Sequence, residues 1–530
     1  MMKRTTRFIS ILLIAVLMHS CRSEDETSWE TAVLAPLAEA TISVTDLIPD
    51  SLISSDAGTP VYLRVEFNED IIEKDSVLRI PDTIITDQLQ LPVNLVLPAG
   101  FEVADISQQI KFSYRDVKLT EALIEEGFVE LNIYNYLEDK VIFEYTIPKA
   151  TFNGMPLAVS GLSVEAHDGN DPGFYQYVSS LQGYHLDLRG DDLLHFNRIR
   201  YLFNALLNPD GLGSPVTANE AFVRYRNRFY GIKPYFARGY LGQSQFHFSG
   251  GSDLSFMRNI SGIIELEDIS LHVSIENSIG ADFSIRLNSV SGIRDGNSVS
   301  LNHEIIGNDL AFARAQHIGY MNLPYTPYSR EFDFNQSTSN IKPFVEFLPQ
   351  RIEYDIDAQL NPLGNVSSGN DFAYSSSNVR LKSVLEMPLK FRAENLSFKD
   401  TVKFEGINPV DVADIGDGEL RVFAHNGFPM DMKVELTWLD TNLNVLGSNL
   451  IDQVIAAAPV DNELKVISSQ KTILNVPVTN QLKSTLENCR FIAIKAVFDT
   501  KPQMELLPIY PEYQLKLQVI GDGIYTIRTK

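Results

Sequence analysis

Short runs of alternating apolar and polar residues, each closed by an asparagine, set the terms on which this chain can fold. Gly127-x-Val129-x-Leu131-x-Ile133-x-Asn135-x-Leu137 aligns with Gly418-x-Leu420-x-Val422-x-Ala424-x-Asn426-x-Phe428. Ile269-x-Leu271-x-Val273-x-Ile275-x-Asn277-x-Ile279 fits the same frame without the leading glycine, and Met387-x-Leu389-x-Phe391-x-Ala393-x-Asn395 fits it more loosely. A period of two places the apolar residues on one face of a strand. An asparagine there satisfies nearby backbone groups and tolerates the left-handed geometry of a turn or bulge. Asn135 and Asn277 stand 142 residues apart, and Asn277 and Asn426 stand 149 apart. Those spacings are domain-sized, too long for the short repeat of a solenoid.

Similar alternation at Val61–Phe67, Phe283–Leu287, Ile352–Ala358 and Tyr513–Val519 makes the expected fold class mainly β: a multidomain chain of β-sandwich-like modules with a few short helices. Helical spacing marks three stretches, 191–207, 218–229 and 480–486, the first ended by Asn208-Pro209-Asp210-Gly211. Polar and turn-forming segments suggest a division into 41–170, 171–320 with an Arg/aromatic-rich helical insertion, 321–405 and a C-terminal sandwich-like domain 406–530. The Asn-terminated strand pattern resembles LEA14-like β-sandwiches, over about a tenth of the chain.

Charge narrows the function classes. The chain carries a formal net charge of −24, and residues 1–20 contribute three cations and no anions, so the remainder stands at −27. Such a surface repels nucleic acid and anionic lipid at long range. The only cysteines are Cys21 and Cys489. Cys489 lies beside Phe491-Ile492-Ala493-Ile494 and reads as a buried core thiol.

At the start, Lys3, Arg4 and Arg7 precede an apolar run, 8–18, too short to remain as a membrane span. The run ends at Met18-His19-Ser20-Cys21, which resembles the cleavage box of bacterial lipoproteins, with Met18 and His19 as departures. The resemblance implies a signal peptide at 1–20 and acylation of Cys21, whose lipid anchors the chain in a bilayer. Residues 21–40 read as an acidic tether. Arg22-Ser23-Glu24-Asp25-Glu26 resembles the export signals of Bacteroidota surface lipoproteins, implying the outer membrane and its cell-surface face, with the periplasmic leaflet as the alternative. Asp75-Ser76-Val77, Asp82-Thr83-Ile84 and Asp400-Thr401-Val402 resemble that phylum's O-glycosylation sequon.

Signatures of common enzymes (a zinc-binding His-Glu-x-x-His, a Gly-x-Ser-x-Gly elbow, a phosphate loop) do not occur. His185 and His195 can approach each other if Gly190 turns the chain, with Asp187, Asp191 or Asp192 completing a metal site. Asp168-Gly169-Asn170-Asp171 offers oxygens for Ca²⁺ but lacks the full calcium loop, and favours a plain turn. Glu265 with Glu267, and Glu353 with Asp355 and Asp357, could in principle serve glycoside hydrolysis, although the trio has the pattern of a solvated face.

One region breaks the negative balance. Between Arg198 and Tyr240 basic and aromatic residues interleave, among them Arg224, Tyr225, Arg226, Arg228, Tyr230, Tyr235, Arg238 and Tyr240. Guanidinium groups and rings supply large contact area with fixed donors, suiting a partner-protein or sugar surface. If 224–228 is extended, its three arginines share one face. The favoured reading is a non-enzymatic, lipid-anchored protein without cofactor or metal. It acts through protein contacts, as an accessory to an outer-membrane β-barrel assembly, secretion or uptake complex. A cell-surface glycan-binding protein is the alternative, and an unrecognised glycoside hydrolase the second.

Overall fold

Three sets of eight strands share one connectivity in the computed structural model, which describes residues 28–55, 58–72, 79–114, 116–254, 257–258, 260–318, 324–404, 415–500 and 505–528. Cys21, the signal peptide, the first seven tether residues and Asp75-Ser76-Val77 lie outside the described residues. With the strands of each set counted in chain order, one sheet runs 1-8-3-6 and the other 2-7-4-5. That order defines an eight-stranded jelly roll, two Greek keys folded into a sandwich.

The inner set is Thr83–Gln90, Glu102–Lys111, Lys118–Asn135, Val141–Phe152, Met155–Val164, Gly173–Ser180, Arg198–Leu207 and Ala221–Tyr240. The middle set is Tyr62–Ile72, Ser244–Asp253, Ser270–Asn277, Phe283–Arg294, a fifth strand split into Asn297–Ser300 and Asp309–Phe312, Tyr328–Phe334, Arg351–Leu360 and Val379–Pro388. The outer set is Ser28–Ser43, Lys390–Lys403, Ile415–Asn426, Asp431–Leu439, Val445–Ile455, Gln470–Pro477, Phe491–Asp499 and Gln514–Arg528, with Ser261–Leu266 added beside its second strand. The names refer to sequence. The inner set fills the connection between strands one and two of the middle set, and both fill the corresponding connection of the outer set. The chain accordingly forms two compact units, one of Val65–Asp253 with Ile269–Glu386, the other of the segment to Arg64 with Leu254–Asp268 and Met387–Lys530. This nesting cuts across the consecutive division at 170, 320 and 405.

Each sandwich carries the same asparagine, fully buried, where strand three leaves one sheet for strand four of the other. Asn135 donates from Nδ2 to the carbonyls of Asp139 and Glu165, both at 2.9 Å, and Oδ1 accepts from the Leu137 amide at 3.0 Å. Asn277 does the same with Ala281 (3.0 Å), Ala313 (2.9 Å) and Ile279 (3.0 Å). Asn426 repeats it with Met430 (2.9 Å), Ala456 (2.9 Å) and Phe428 (2.8 Å). One amide thus ties the crossover to the end of strand five and satisfies buried peptide groups that water cannot reach. The fourth frame is different: Asn395, at φ 53°, sits at a register shift within the second strand of the outer set.

Two expected helices are strands. Residues 198–207 alternate, with Ile199, Tyr201, Phe203, Ala205 and Leu207 buried. Leu202 and Leu206 on the opposite face produced the false helical spacing. Residues 221–229 likewise alternate, with Val223, Tyr225, Asn227 and Phe229 inward. The third expected helix is present at Asn480–Asn488, capped by the Thr479 hydroxyl, which accepts from the Leu482 amide. Across the inner sandwich, the Phe203 and Tyr225 rings stack at 5.1 Å and Asn227 donates to the Tyr145 hydroxyl at 2.7 Å.

Candidate functional site

The extended conformation of 221–230 turns Arg224, Arg226 and Arg228 to the outward face of the inner 1-8-3-6 sheet. Register sets their neighbours. Arg224 lies between Gln88 and Tyr134, Arg226 between Thr86 and Asn132, and Arg228 between Ile84 and Glu130. Strand six brings Phe174, Gln176 and Val178 beside Tyr134, Asn132 and Glu130. Ile84, Phe128, Phe174 and Val178 are all exposed on this face.

Its electrostatics are uneven. Arg228 pairs with Asp82 at 3.3 Å and lies 4.3 Å over the Tyr230 ring, which stacks on Phe128 at 5.4 Å. Arg224 lies 5.2 Å over the Tyr136 ring and donates to its hydroxyl at 3.3 Å. Neither Arg224 nor Arg226 forms an ion pair among the described residues. Asn132, directly opposite Arg226, donates to Glu130 at 2.7 Å while its Oδ1 has no partner. The face therefore combines cationic planar groups, exposed rings and aliphatic area.

The other members of the predicted set lie elsewhere. Tyr225 is core, its hydroxyl 3.3 Å from that of Tyr201 and its ionisation pushed up by burial. Tyr240 is buried, its hydroxyl 3.4 Å from Asp116. Tyr235 is partly exposed, in edge contact with Tyr374 at 5.7 Å, and Arg238 pairs with Glu121 at 3.3 Å. Strand periodicity separates these residues, although the sequence runs them together.

His185 and His195 engage different carboxylates, Glu121 at 3.0 Å and Asp192 at 3.4 Å, and form no joint metal site. Asp168 closes a turn by accepting from the Asn170 and Asp171 amides, which hold its carboxyl below the usual range. Glu265 pairs with Arg392 and Glu267 with Lys390. Burial pushes the Cys489 thiol up, as expected of a core cysteine.

The side chains that could hold a metal ion among the described residues are His247, Asp355 and Asp357, whose ligand atoms lie within 4.8 Å of one another. Sequence reading took Asp355 and Asp357 as solvated and missed their approach to His247, which only the pairing of Ser244–Asp253 with Arg351–Leu360 creates. His247 bonds Asp357 at 2.8 Å, and Asn288 donates to Asp355 (2.6 Å) and Asp357 (2.8 Å). A second missed feature is a hollow of about 510 Å³ in the outer sandwich, lined by Glu39, Phe423, His425, Lys516 and Gln518.

No family model matches the chain, and no curated protein does. Among solved structures it is similar to a protein of Parabacteroides distasonis designated as secreted, at 14% identity, covering 52% of this chain and 82% of that one, with a TM-score of 0.26. It is also similar to the major capsid protein P2 of bacteriophage PM2 (10% identity, 57% and 97% covered, TM-score 0.10). The third likeness is to Broad Bean Stain Virus (9% identity, 66% and 95% covered, TM-score 0.14). These scores are too low to carry an argument, and the jelly-roll assignment rests on strand order. No helix among the described residues is long and apolar enough to cross a membrane.

Proposed function

We propose that this chain is a non-enzymatic binding protein that engages a partner protein through the outward face of its inner 1-8-3-6 sheet. The supporting observation is the row Arg224, Arg226 and Arg228 beside exposed Ile84, Phe128, Phe174 and Val178, with two of the arginines free of ion pairs among the described residues. A chain with a net charge of −24 has ample carboxylates to neutralise its arginines. Leaving them uncompensated next to apolar area suits a partner surface bearing carboxylates and apolar side chains. In this reading Cys21 is acylated and holds the protein at the outer membrane, on the cell-surface side, as an accessory to a β-barrel complex.

The test is co-purification from the native membrane in mild detergent, comparing wild type with Arg226→Glu and Phe174→Ala. A stoichiometric protein partner held by wild type and lost by both variants supports the reading. Recovery of the chain alone, or of variants that keep the partner, rejects it. A second reading, glycan binding, is favoured by the outer-sandwich hollow with its aromatic and amide lining. It predicts retained polysaccharide that is lost in Phe423→Ala. Mass analysis of the mature amino terminus tests acylation separately.

A further inference from the structure

We infer that the partner binds by strand addition, laying an extended segment of its own chain along Gly173–Ser180 and so widening the inner 1-8-3-6 sheet. The inference rests on the reading of that sheet's outward face as the partner surface, and it specifies how the contact is made. Among the described residues Gly173–Ser180 pairs only with Lys118–Asn135, so its other side is a sheet edge.

The phase of the backbone fixes what this edge offers. The Leu181 amide donates to the Gly127 carbonyl at 2.8 Å, continuing the register that sets Ser179 opposite Val129 and Tyr177 opposite Leu131. Hydrogen-bonded pairs alternate along an antiparallel ladder. Tyr175, Tyr177 and Ser179 therefore turn their amides and carbonyls inward, and Phe174, Gln176 and Val178 turn theirs to the open side. The side chains of these last three stand in the same cross-strand rows as Arg224, Arg226 and Arg228. A strand added at this edge accordingly extends the Arg-bearing face without a gap.

Native sheet edges are ordinarily blunted by charge or proline. Strand six of the middle sandwich, Tyr328–Phe334, carries Arg330, Glu331 and Asp333, and that of the outer sandwich, Gln470–Pro477, carries Lys471 and Pro477. The equivalent inner strand, Gly-Phe-Tyr-Gln-Tyr-Val-Ser-Ser, carries neither, on a chain with 68 acidic residues. The departure coincides with the face on which Arg224 and Arg226 have no carboxylate partner. Amides and carbonyls alternating along an extended edge are matched by another extended peptide, whereas a helix has already paired its own. The partner segment therefore lacks proline where it pairs and sets apolar side chains opposite Phe174 and Val178. Two copies of this chain meeting edge to edge would each bring a net charge of −24, which opposes self-association.

The experiment is co-purification from the native membrane in mild detergent, with Gln176→Pro set against Gln176→Ala. Proline removes the outward amide and fills its place with the ring while every inward hydrogen bond is kept, so the melting temperature is expected to hold. Capture of the partner by Gln176→Pro is expected to fall at least about tenfold below that by Gln176→Ala. Val178→Pro repeats the test two residues on, should the first variant fold poorly. Hydrogen exchange on the wild-type complex needs no variant: the Phe174, Gln176 and Val178 amides are expected to slow on binding, and those of Tyr175 and Tyr177 to stay as they were. Equal capture by the two Gln176 variants, or unchanged exchange at the alternate amides, overturns strand addition. If Arg226→Glu then still releases the partner, the proposed face stands without it. A wild type that captures nothing overturns both. Dimerisation of the isolated chain, residues 21–530 with Cys21→Ser, that is lost in Gln176→Pro would make a second copy the occupant and also overturns the proposal.

Discussion

The inner and middle sandwiches present charged sheet faces that are resolved in opposite ways. On the middle sandwich, charges close on themselves: His247 lies between Asp355 and Asp357, Asn288 bonds both carboxylates, and Arg286 pairs with Asp309. On the inner sandwich, Arg224 and Arg226 stand beside exposed rings with no carboxylate partner among the described residues. The inner ladder is regular from Val223 to Tyr230, whereas the middle one shifts register between Leu287 and Ser289, where the extra residue Asn288 reaches both carboxylates. Side-chain chemistry adds to this, the inner face lying on a 1-8-3-6 sheet and the middle one on a 2-7-4-5 sheet. A self-satisfied face gains little from a partner, whereas an uncompensated one gains charge-assisted contacts when a complementary surface arrives.

The strongest way to break this contrast is charge reversal. Arg224→Glu with Arg226→Glu places like charge against an acidic partner and is expected to weaken capture by roughly 100-fold or more, measured by surface plasmon resonance once the partner is purified. Unchanged affinity would remove the distinction between the two faces. Next in size, Asn135→Ala deletes the amide that fixes the end of the strand bearing Glu130 and Tyr134. A loss of about 2–4 kcal/mol is expected in denaturant unfolding, with partner capture falling alongside. Asn426→Ala is expected to cost a similar amount while capture persists, because its crossover belongs to the other compact unit. Phe174→Ala should reduce capture about tenfold, the effect of removing one well-placed ring, with the melting temperature unchanged.

The smallest effect belongs to the closed face. Its neighbouring carboxylates hold His247 above the ordinary imidazole value, and Asn288 and His247 hold Asp357 below the ordinary carboxylate range. The His247 contribution is fully present below its unfolded value and lost as pH rises through its folded one. The Asp357 contribution is present above its unfolded value and lost as pH falls through its folded one. Proton-resonance titration is expected to show His247 shifting back toward its ordinary value in Asp355→Asn, with partner capture untouched. A titration unmoved by that substitution would show the closed face to be less coupled than its geometry indicates.

Much of the fold was legible because Asn135, Asn277 and Asn426 perform one local task with nearby backbone groups, and local tasks leave local patterns. The nesting was not, because Tyr62–Ile72 and Ser244–Asp253 are consecutive strands of one sandwich separated by the whole inner set. Nothing near either end announces so distant a continuation. The helix assignments failed where outward positions also carried leucine, as at Leu202 and Leu206, which blurs period two. Of the Arg/aromatic run, the three central arginines landed together, but Tyr225 and Tyr240 went to the interior, since composition does not reveal which face a ring occupies.

Insertion at the same connection twice imposes a timetable on synthesis. Ser28–Ser43 leaves the ribosome before the inner and middle sets, yet its ladder partner Gln514–Arg528 follows both. In between, the inner sandwich can close first, from a continuous stretch of newly made chain, and the middle one second, once Val379–Pro388 has been made. The earliest strand must wait through that whole interval with its hydrogen-bonding edge open. Termination before Gln514 would cost the outermost sandwich its closing strand while leaving the innermost complete, so such fragments are expected to keep the Arg-bearing face folded while their first-made strand stands without its ladder partner.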